Sequence, residues 1–152
     1  VTAALAVEGS GDQPTVFGPD HLDEVISESD FLVLAAPVTE KTRHMLDAAR
    51  IARMKPGAYV VNVSRGALIE EHALAEALRQ HRIGGAALDV FEEEPLPAAS
   101  PLWDLDNLII TPHTAALSDK MWERHYELIA ENVRRYLSGR PLLGLVDKKL
   151  GY

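Results

Sequence analysis

The sequence predicts an α/β fold with a mostly parallel sheet. Short apolar runs alternate with segments in which apolar residues recur at helical spacing. This alternation is typical of strand–helix–strand units, in which each helix returns the chain to the start of the next parallel strand. Four of the runs end in polar residues or in a turn, and the carboxyl ends of parallel strands share the sheet edge where ligands bind.

Composition and charge exclude several kinds of partner and site. The length of 152 residues suits one domain with a real core, and 47% hydrophobic residues are ordinary for a globular protein. A net charge of −8 argues against nucleic acid or an anionic membrane as the main partner. The chain has no cysteine, which excludes disulfides and thiolate chemistry. No apolar run has the length of a membrane span, and we expect a cytoplasmic location.

The predicted elements follow from apolar periodicity and from Gly and Pro punctuation. The predicted strands are Val1–Val7, Thr15–Phe17 at an edge, Phe31–Ala35, Tyr59–Val63, Ala86–Leu88 and Leu108–Ile110. The predicted helices span about residues 20–28, 47–54, 70–81 and 117–138.

Periodicity also predicts which side chains are buried. Because Phe31–Ala35 is apolar throughout, we expect that strand to be covered on both faces. The first and third helices should each bury one apolar stripe. The last helix is predicted to end at Ser138-Gly139 and to bury its own stripe, which consists of Trp122, Leu128, Ile129, Val133 and Leu137.

Arg65 and Asp89 directly follow two of the apolar runs. A guanidinium at the ligand edge of a sheet is a bidentate clamp for a carboxylate, and Gly66 would let the backbone turn sharply behind it. The alternative for Arg65 is a surface salt bridge. Asp89 is either a cap or turn former, or a partner for a polar group in the cleft.

Glu94 and His113 are the candidate proton-transfer pair. A carboxylate bonded to one imidazole nitrogen fixes the tautomer and favours the protonated ring, and the other nitrogen can then transfer a proton near neutral pH. The alternatives are a loop or capping histidine and a solvated glutamate. The other five histidines are interpreted as surface residues, and their spacing predicts no metal site.

The start of the chain carries one weaker candidate. Glu8 ends the first predicted strand and could bond ribose hydroxyls, which would favour NAD over NADP. The Gly9-Ser10-Gly11 segment lies after that strand, so it is a turn and not a GxGxxG phosphate loop. Because the chain starts inside a strand-like run without methionine, we expect a front half that precedes Val1.

The chain resembles the D-isomer-specific 2-hydroxyacid dehydrogenase family over nearly all of its length. Each motif alone is modest, but their order and spacing together are specific. The motifs are Asp30–Pro37 with Thr39 and Thr42, Met54–Gly57, Val61–Gly66, Leu88–Pro95 and Thr111–His113.

The resemblance implies a Rossmann-like, doubly wound parallel sheet and a set of residue roles. Arg65 would hold the carboxylate and carbonyl of a 2-oxo acid, His113 would donate the proton in reduction, and Glu94 would pair with His113. Asp89 would contact the nicotinamide carboxamide. The remaining residues near the cofactor, which is NAD or NADP, would be Pro37, Thr42, Val63, Ser64, Ala115 and Ala116.

The departures from the family pattern limit what these 152 residues can do alone. The family's first strand, its phosphate loop and most of its substrate domain are missing, so residues 1–140 would be the later part of the dinucleotide-binding domain and 141–152 a tail towards the substrate domain. We therefore expect the isolated chain to be inactive and to bind dinucleotide weakly. The family usually dimerises, and glyoxylate or hydroxypyruvate is a plausible substrate by resemblance. The alternative functions are a non-enzymatic NAD(H)-sensing binding protein and an inactive remnant.

Overall fold

The computed structural model describes residues 15–149, and the chain divides into two compact units between Pro112 and His113. The first unit holds three α-helices and a four-stranded sheet. Its strands are β1 (Phe31–Leu34), β2 (Tyr59–Asn62), β3 (Gly85–Leu88) and β4 (Leu108–Ile110). Its helices are α1 (Leu22–Glu28), α2 (Ala48–Arg53) and α3 (Glu71–Arg79), with 3-10 turns at Pro19–His21, Gly66–Leu68 and Pro101–Asp104. The second unit contains α4 (Met121–Leu137).

All four strands are parallel and lie in the order β1-β2-β3-β4. In the register, Leu34 lies beside Asn62, Asn62 beside Leu88, and Leu88 beside Ile110. The predicted α/β class with a parallel sheet is therefore confirmed. The four carboxyl ends lie next to one another along one edge.

The buried core lies on one face of the sheet. Leu32 and Leu34 of β1 and Val60 of β2 belong to the same buried cluster as Ile26 of α1 and Leu74 of α3. These helices form where the sequence predicted them, and Val25 and Ile26 are buried as expected. Asp47 stabilises the start of α2 as its N-cap, because its side chain accepts a hydrogen bond from the Arg50 backbone N–H.

The other face of β1 is exposed, so the prediction that this strand is covered on both faces is wrong. Phe31 is 68% exposed and Val33 is 54% exposed. Phe31 instead stacks on Tyr59, with ring centroids 5.4 Å apart. An apolar run indicates that both faces of a strand can be buried, but not that both are. Within residues 15–149, only the face of β1 that carries Leu32 and Leu34 is buried.

Two further predictions are corrected. Thr15 forms a single bridge and Val16 and Phe17 are not in a strand, so the predicted edge strand Thr15–Phe17 is absent. α4 begins at Met121 and has no buried residue: the five apolar side chains predicted to be buried are 45 to 79% exposed. Helical periodicity identifies an apolar stripe but not what packs on it. The end of α4 is as predicted, with Ser138 as C-cap and Gly139 at φ +66.

The predictions for Val1–Val7, Glu8 and the Gly9-Ser10-Gly11 turn lie outside the described residues. Within residues 15–149, every helix is too short or too polar to cross a membrane.

Candidate active site

The candidate site residues of the first unit follow the carboxyl ends of its strands. Backbone hydrogen bonds continue past the strand ends, from Val63 N to Leu34 O and from Asp89 N to Asn62 O. Thr111 N likewise donates to Leu88 O. The structure therefore places the segments that carry Arg65 and Asp89 side by side at the edge where open α/β sheets bind ligands.

Asn62 builds the turn that presents Arg65. Its side chain is fully buried, and its amide uses both ends: Nδ2 donates to the Arg65 carbonyl at 2.9 Å, and Oδ1 accepts from the Ser64 backbone N–H at 3.1 Å. A buried amide is costly unless it is bonded, so these contacts stabilise one conformation of the turn. Sequence reasoning gave Asn62 no role, although an Asn inside an apolar strand was the available signal.

The Arg65 side chain is exposed at this turn. Its Nη1 donates to the Ser64 carbonyl at 2.6 Å, and it forms no ion pair with any residue between 15 and 149. The surface salt bridge that was the alternative for Arg65 is therefore not formed there. A guanidinium on a fixed turn, with donors left over, suits an anionic ligand.

Gly66 is required by close packing. A Cβ at this position would lie 1.9 Å from the backbone carbon of Phe91 and 2.4 Å from the backbone nitrogen of Glu92. The sequence suggested Gly66 for a sharp turn, but the stronger constraint is that the loop after β2 touches the loop after β3. The backbones that carry Arg65 and Glu94 are thus in direct contact.

Asp89 is buried and accepts a hydrogen bond from the Thr111 hydroxyl at 2.5 Å. Val90 and Phe91 continue from it as a buried loop and not as a helix. Both interpretations of Asp89, as a cap or turn former and as a partner for a polar group in the cleft, stay predictions.

Glu94 is held by its own loop, although its side chain is exposed. Its Oε1 accepts the Phe91 backbone N–H at 3.0 Å. The next amide, Glu92 N–H, donates to Oε2 of Glu71 at 3.0 Å, and the Glu92 carboxylate contacts Nε2 of His44 at 2.8 Å. The loop after β3 is therefore fixed from α3 and from the loop after β1.

The surroundings of Glu71 shift the pKa of its carboxyl group. Burial raises the pKa of the Glu71 carboxyl, the hydrogen bond from the Glu92 backbone lowers it, and the charges of Glu92 and Glu93 raise it further. The net effect is a pKa above the ordinary value. Sequence reasoning placed Glu71 only in the first turn of a helix and missed this contact.

The loop after β1 is closed by Thr42. The buried hydroxyl of Thr42 donates to the Pro37 carbonyl at 2.7 Å and accepts the Thr39 backbone N–H at 2.7 Å. The loop is joined to the segment after β2 by His44 N–H, which donates to the Ala67 carbonyl at 2.8 Å. The Pro37 segment thus has a defined position relative to β2.

His113 opens the second unit. It is exposed and has φ +55, a left-handed conformation that is uncommon for a residue with a side chain. Ala115 and Ala116 follow it and are exposed, and Leu117 N–H donates to the Thr114 carbonyl at 2.9 Å. The pairing of Glu94 with His113, and the roles of both alanines, stay predictions.

The remaining histidines are all exposed, as expected. Between residues 15 and 149 no group of three or more His, Asp or Glu side chains could hold a metal ion. The candidate side chains that follow β2 and β3 in the first unit are the Arg65 guanidinium and the Asp89 and Glu94 carboxylates.

Known proteins with similar sequences fall into one family. Residues 5–115 match the family model described as "D-isomer specific 2-hydroxyacid dehydrogenase, NAD binding domain". A glyoxylate reductase of Korarchaeum cryptofilum is 40% identical over 129 residues, which are 85% of this chain and 39% of that protein. An (S)-sulfolactate dehydrogenase of Chromohalobacter salexigens is 43% identical over 126 residues, or 83% of this chain and 41% of that protein. The chain thus spans about two fifths of these relatives.

The fold of the chain is similar to that of a solved structure from the same family. A D-isomer specific 2-hydroxyacid dehydrogenase from Xanthobacter autotrophicus Py2, in complex with NADPH and MES, superposes with a TM-score of 0.86 at 38% identity. The match covers 97% of this chain and 61% of that one. The Rossmann-like fold expected from the resemblance is confirmed. The chain belongs to the D-isomer specific 2-hydroxyacid dehydrogenase family.

Proposed function

We propose that this chain supplies the cofactor-binding half, and the catalytic side chains, of an NAD(P)H-dependent oxidoreductase that acts on small 2-oxo or 2-hydroxy acids. The observation that carries the proposal is the Asn62-fixed turn, which presents the exposed Arg65 guanidinium at the sheet edge where the segment with the buried Asp89 also ends. The relatives named glyoxylate reductase and sulfolactate dehydrogenase support the substrate class. Glyoxylate and hydroxypyruvate are the substrates we propose to test first.

Arg65 and His113 would stabilise the charge that develops during reduction. When hydride adds to the carbonyl carbon, the electron pair of the C=O π bond moves to oxygen, which then takes a proton from the His113 imidazole. Arg65 would bind the substrate carboxylate and donate to the same developing oxyanion, so both groups act more strongly on the transition state than on the substrate. Glu94 would hold the imidazole in its protonated form.

The residues at the sheet edge fit the nicotinamide end of a dinucleotide. The nicotinamide cofactor supplies the hydride when it is bound. Val63 is an exposed apolar residue directly after β2, and Pro37 lies on the Thr42-closed loop after β1, so both offer apolar surface at the edge. Asp89 offers carboxylate oxygens to a carboxamide. Ser64, Ala115 and Ala116 complete the proposed contacts.

The assembly around this chain is also part of the proposal. Residues 1–140 would form the later part of a dinucleotide-binding domain, and 141–152 would lead towards a substrate domain. A homodimer in the cytoplasm is the proposed working form. The NADPH bound to the Xanthobacter relative and the family model's description as an NAD binding domain together support NAD or NADP as cofactor.

Replacement of His113 tests this function. In the complete protein we expect NAD(P)H-dependent reduction of glyoxylate, and we expect His113→Ala to lower kcat by roughly 10²–10⁴-fold because it removes the proton donor. His72→Ala, an exposed histidine on α3, is the matched control and should keep full activity. The readout is loss of NAD(P)H absorbance at saturating substrate.

Two outcomes of this experiment would contradict the proposal. Absence of activity with any small 2-oxo acid, in the complete protein and in His113→Ala alike, would favour a dehydrogenase-like protein that binds NAD(H) as a sensor. An active protein in which His113→Ala matches His72→Ala would leave the reaction class intact but remove His113 from it.

A further inference from the structure

We propose that Glu71 is a positioning residue that fixes the loop carrying Glu94. This inference rests on the proposed function, in which Glu94 acts on His113. Glu71 lies at the start of α3, outside the set of residues assigned to substrate, cofactor or proton transfer. Its role would be exerted through the backbone of the loop after β3.

The first support is a relay of two consecutive backbone amides. Glu92 N–H donates to Oε2 of Glu71, and Phe91 N–H donates to Oε1 of Glu94, both at 3.0 Å. Two consecutive peptide units that share the Phe91 Cα are therefore held from different sides: the Val90–Phe91 unit by the Glu94 side chain, and the Phe91–Glu92 unit by α3. A change in the position of Glu92 N must move the anchor of the Glu94 carboxylate.

The second support is that packing alone does not set this position. The loop touches the Gly66 backbone on one side. Beside Gly66 lies a small cavity, which Asn62, Glu71 and Leu74 also line. Val90 at the start of the loop also lines this cavity, so close packing does not extend over that side of the loop.

The third support is electrostatic. The Glu71 carboxylate is kept half-buried near the charges of Glu92 and Glu93, and both conditions raise its pKa. The hydrogen bond from the Glu92 backbone opposes them. A charged carboxylate in such surroundings has an unfavourable desolvation free energy. The start of a helix needs only some polar or small residue. The use of Glu71 as the acceptor for one amide of the loop with Glu94 therefore points to a function beyond helix formation.

Glu70 provides a matched control. Its Oε2 accepts the Ala48 backbone N–H at 3.0 Å, which is the same kind of bond as that of Glu71. The Glu70 bond holds the start of α2, whereas the Glu71 bond holds the loop with Glu94. A purely structural glutamate at this helix start should behave like Glu70.

The test compares Glu71→Ala, Glu71→Gln, Glu70→Ala and Glu94→Gln in the complete protein, with kcat, KM, the pH profile of reduction and Tm as readouts. We expect Glu71→Ala to lower kcat about 10-fold, because a small misplacement of a catalytic group is costly, and to change KM less. If Glu94 acts on the proton donor as proposed, its displacement disfavours the protonated donor, so the basic limb of the rate profile should move to lower pH. Glu71→Gln keeps an acceptor oxygen and should recover most of kcat.

The outcomes separate this inference from the proposed function. Glu70→Ala should lower Tm while it keeps the wild-type kcat and basic limb. If Glu71→Ala has the kcat and pH profile of Glu70→Ala while Glu94→Gln moves the basic limb, the positioning role is wrong and the role of Glu94 stands. If Glu94→Gln leaves the profile unchanged, both are overturned. Should Glu71→Ala not fold, Glu71→Asp replaces it, and a wild-type profile for that variant would equally contradict the inference.

Discussion

Polar side chains at the two ends of the sheet bind different parts of the backbone. At the amino end, polar side chains bind the ends of helices: Arg82 donates to the Ala52 and Met54 carbonyls at the end of α2, and Asn107 donates to the Leu78 carbonyl of α3. These contacts add donors to carbonyls near the C-terminal ends of α2 and α3, where intrahelical donors run out.

At the carboxyl end, polar side chains bind loops. Asn62 holds the turn before Gly66, Glu71 holds Glu92, and Glu94 holds Phe91. None of these three contacts ends a helix, and their combined effect is to fix backbone from which exposed side chains project. Asp47 and Glu70 also bond the start of α2 at this end, so what distinguishes the carboxyl end is the added set of contacts that fix the loops with the proposed site residues.

The largest expected effect is at Arg65. Arg65→Gln removes the charge of the proposed clamp, and we expect kcat/KM for a 2-oxo acid to fall by roughly 10²–10³-fold, as for loss of one oxyanion donor. Tm should stay near that of the wild type, because Arg65 is exposed and contacts only the Ser64 carbonyl through Nη1.

Arg79→Gln is the control for removal of an arginine. Arg79 lies on α3 and forms an ion pair with Glu76, away from the carboxyl ends of the strands. It should leave kcat/KM unchanged. Equal kcat/KM in Arg65→Gln and Arg79→Gln would contradict the proposed role of Arg65 in binding the substrate carboxylate. It would also contradict the distinction between the two ends of the sheet.

The next effect compares two glycines, one from each end. A Cβ at Gly66 would meet the Phe91 backbone at 1.9 Å, and a Cβ at Gly84 would meet the Gly57 carbonyl oxygen at 2.5 Å. Both alanine variants should lose about 1–3 kcal/mol of unfolding free energy, or more, because backbone must move. Denaturant unfolding measures this loss.

Only Gly66→Ala should also reduce activity per folded molecule. Its added methyl pushes apart the loops that carry Arg65 and Glu94, whereas Gly84→Ala disturbs the turn between α3 and β3. Specific activity, corrected for the folded fraction, distinguishes the two. If Gly84→Ala lost as much corrected activity as Gly66→Ala, the amino end would also position the site.

The sequence was sufficient to predict the four strands β1 to β4 and the edge at which their carboxyl ends lie. Apolar runs such as Phe31–Ala35 and the polar residues after them, Arg65 and Asp89, identify strands and their carboxyl ends, because a parallel sheet aligns all ends in one direction. In the order β1-β2-β3-β4 each strand pairs with the next one in the sequence, as short connections favour.

The contacts that fix the loops were not predictable in the same way. Glu71 and Glu92 are far apart in the chain, and their hydrogen bond depends on how α3 meets the loop after β3. The close contact that requires glycine at position 66 was not predicted either, because it depends on how the loop after β2 meets Phe91 in space. The exposed faces of β1 and α4 were missed because periodicity names an apolar surface without naming its partner.

The smallest expected effect lies in the helix layer. Asp23 of α1 bonds Nε of Arg50 at 2.7 Å and Nη1 of Arg53 at 3.1 Å, both on α2. The hydrogen bond from Arg50 holds the pKa of the Asp23 carboxyl below its usual value, with partial burial opposing and the charges of Arg50 and Arg53 adding to it. Its contribution to stability is therefore present above the unfolded-state pKa, near 3.9, and is lost as the pH falls through the lower folded-state pKa.

Asp23→Asn should lower Tm at pH 7 by less than Gly84→Ala does, because the ion pairs are exposed to solvent. The difference in Tm between Asp23→Asn and wild type should shrink as the pH falls below about 4, because the unfolded chain takes up a proton at Asp23 there, whereas the folded carboxyl takes it up only at lower pH. Glu28→Gln on the same helix controls for removal of one negative charge. A Tm difference that stays constant down to pH 2 would mean that Asp23 stabilises the fold through packing rather than through its charge. A loss of catalytic activity in Asp23→Asn would mean that the contacts between α1 and α2 also affect the proposed site.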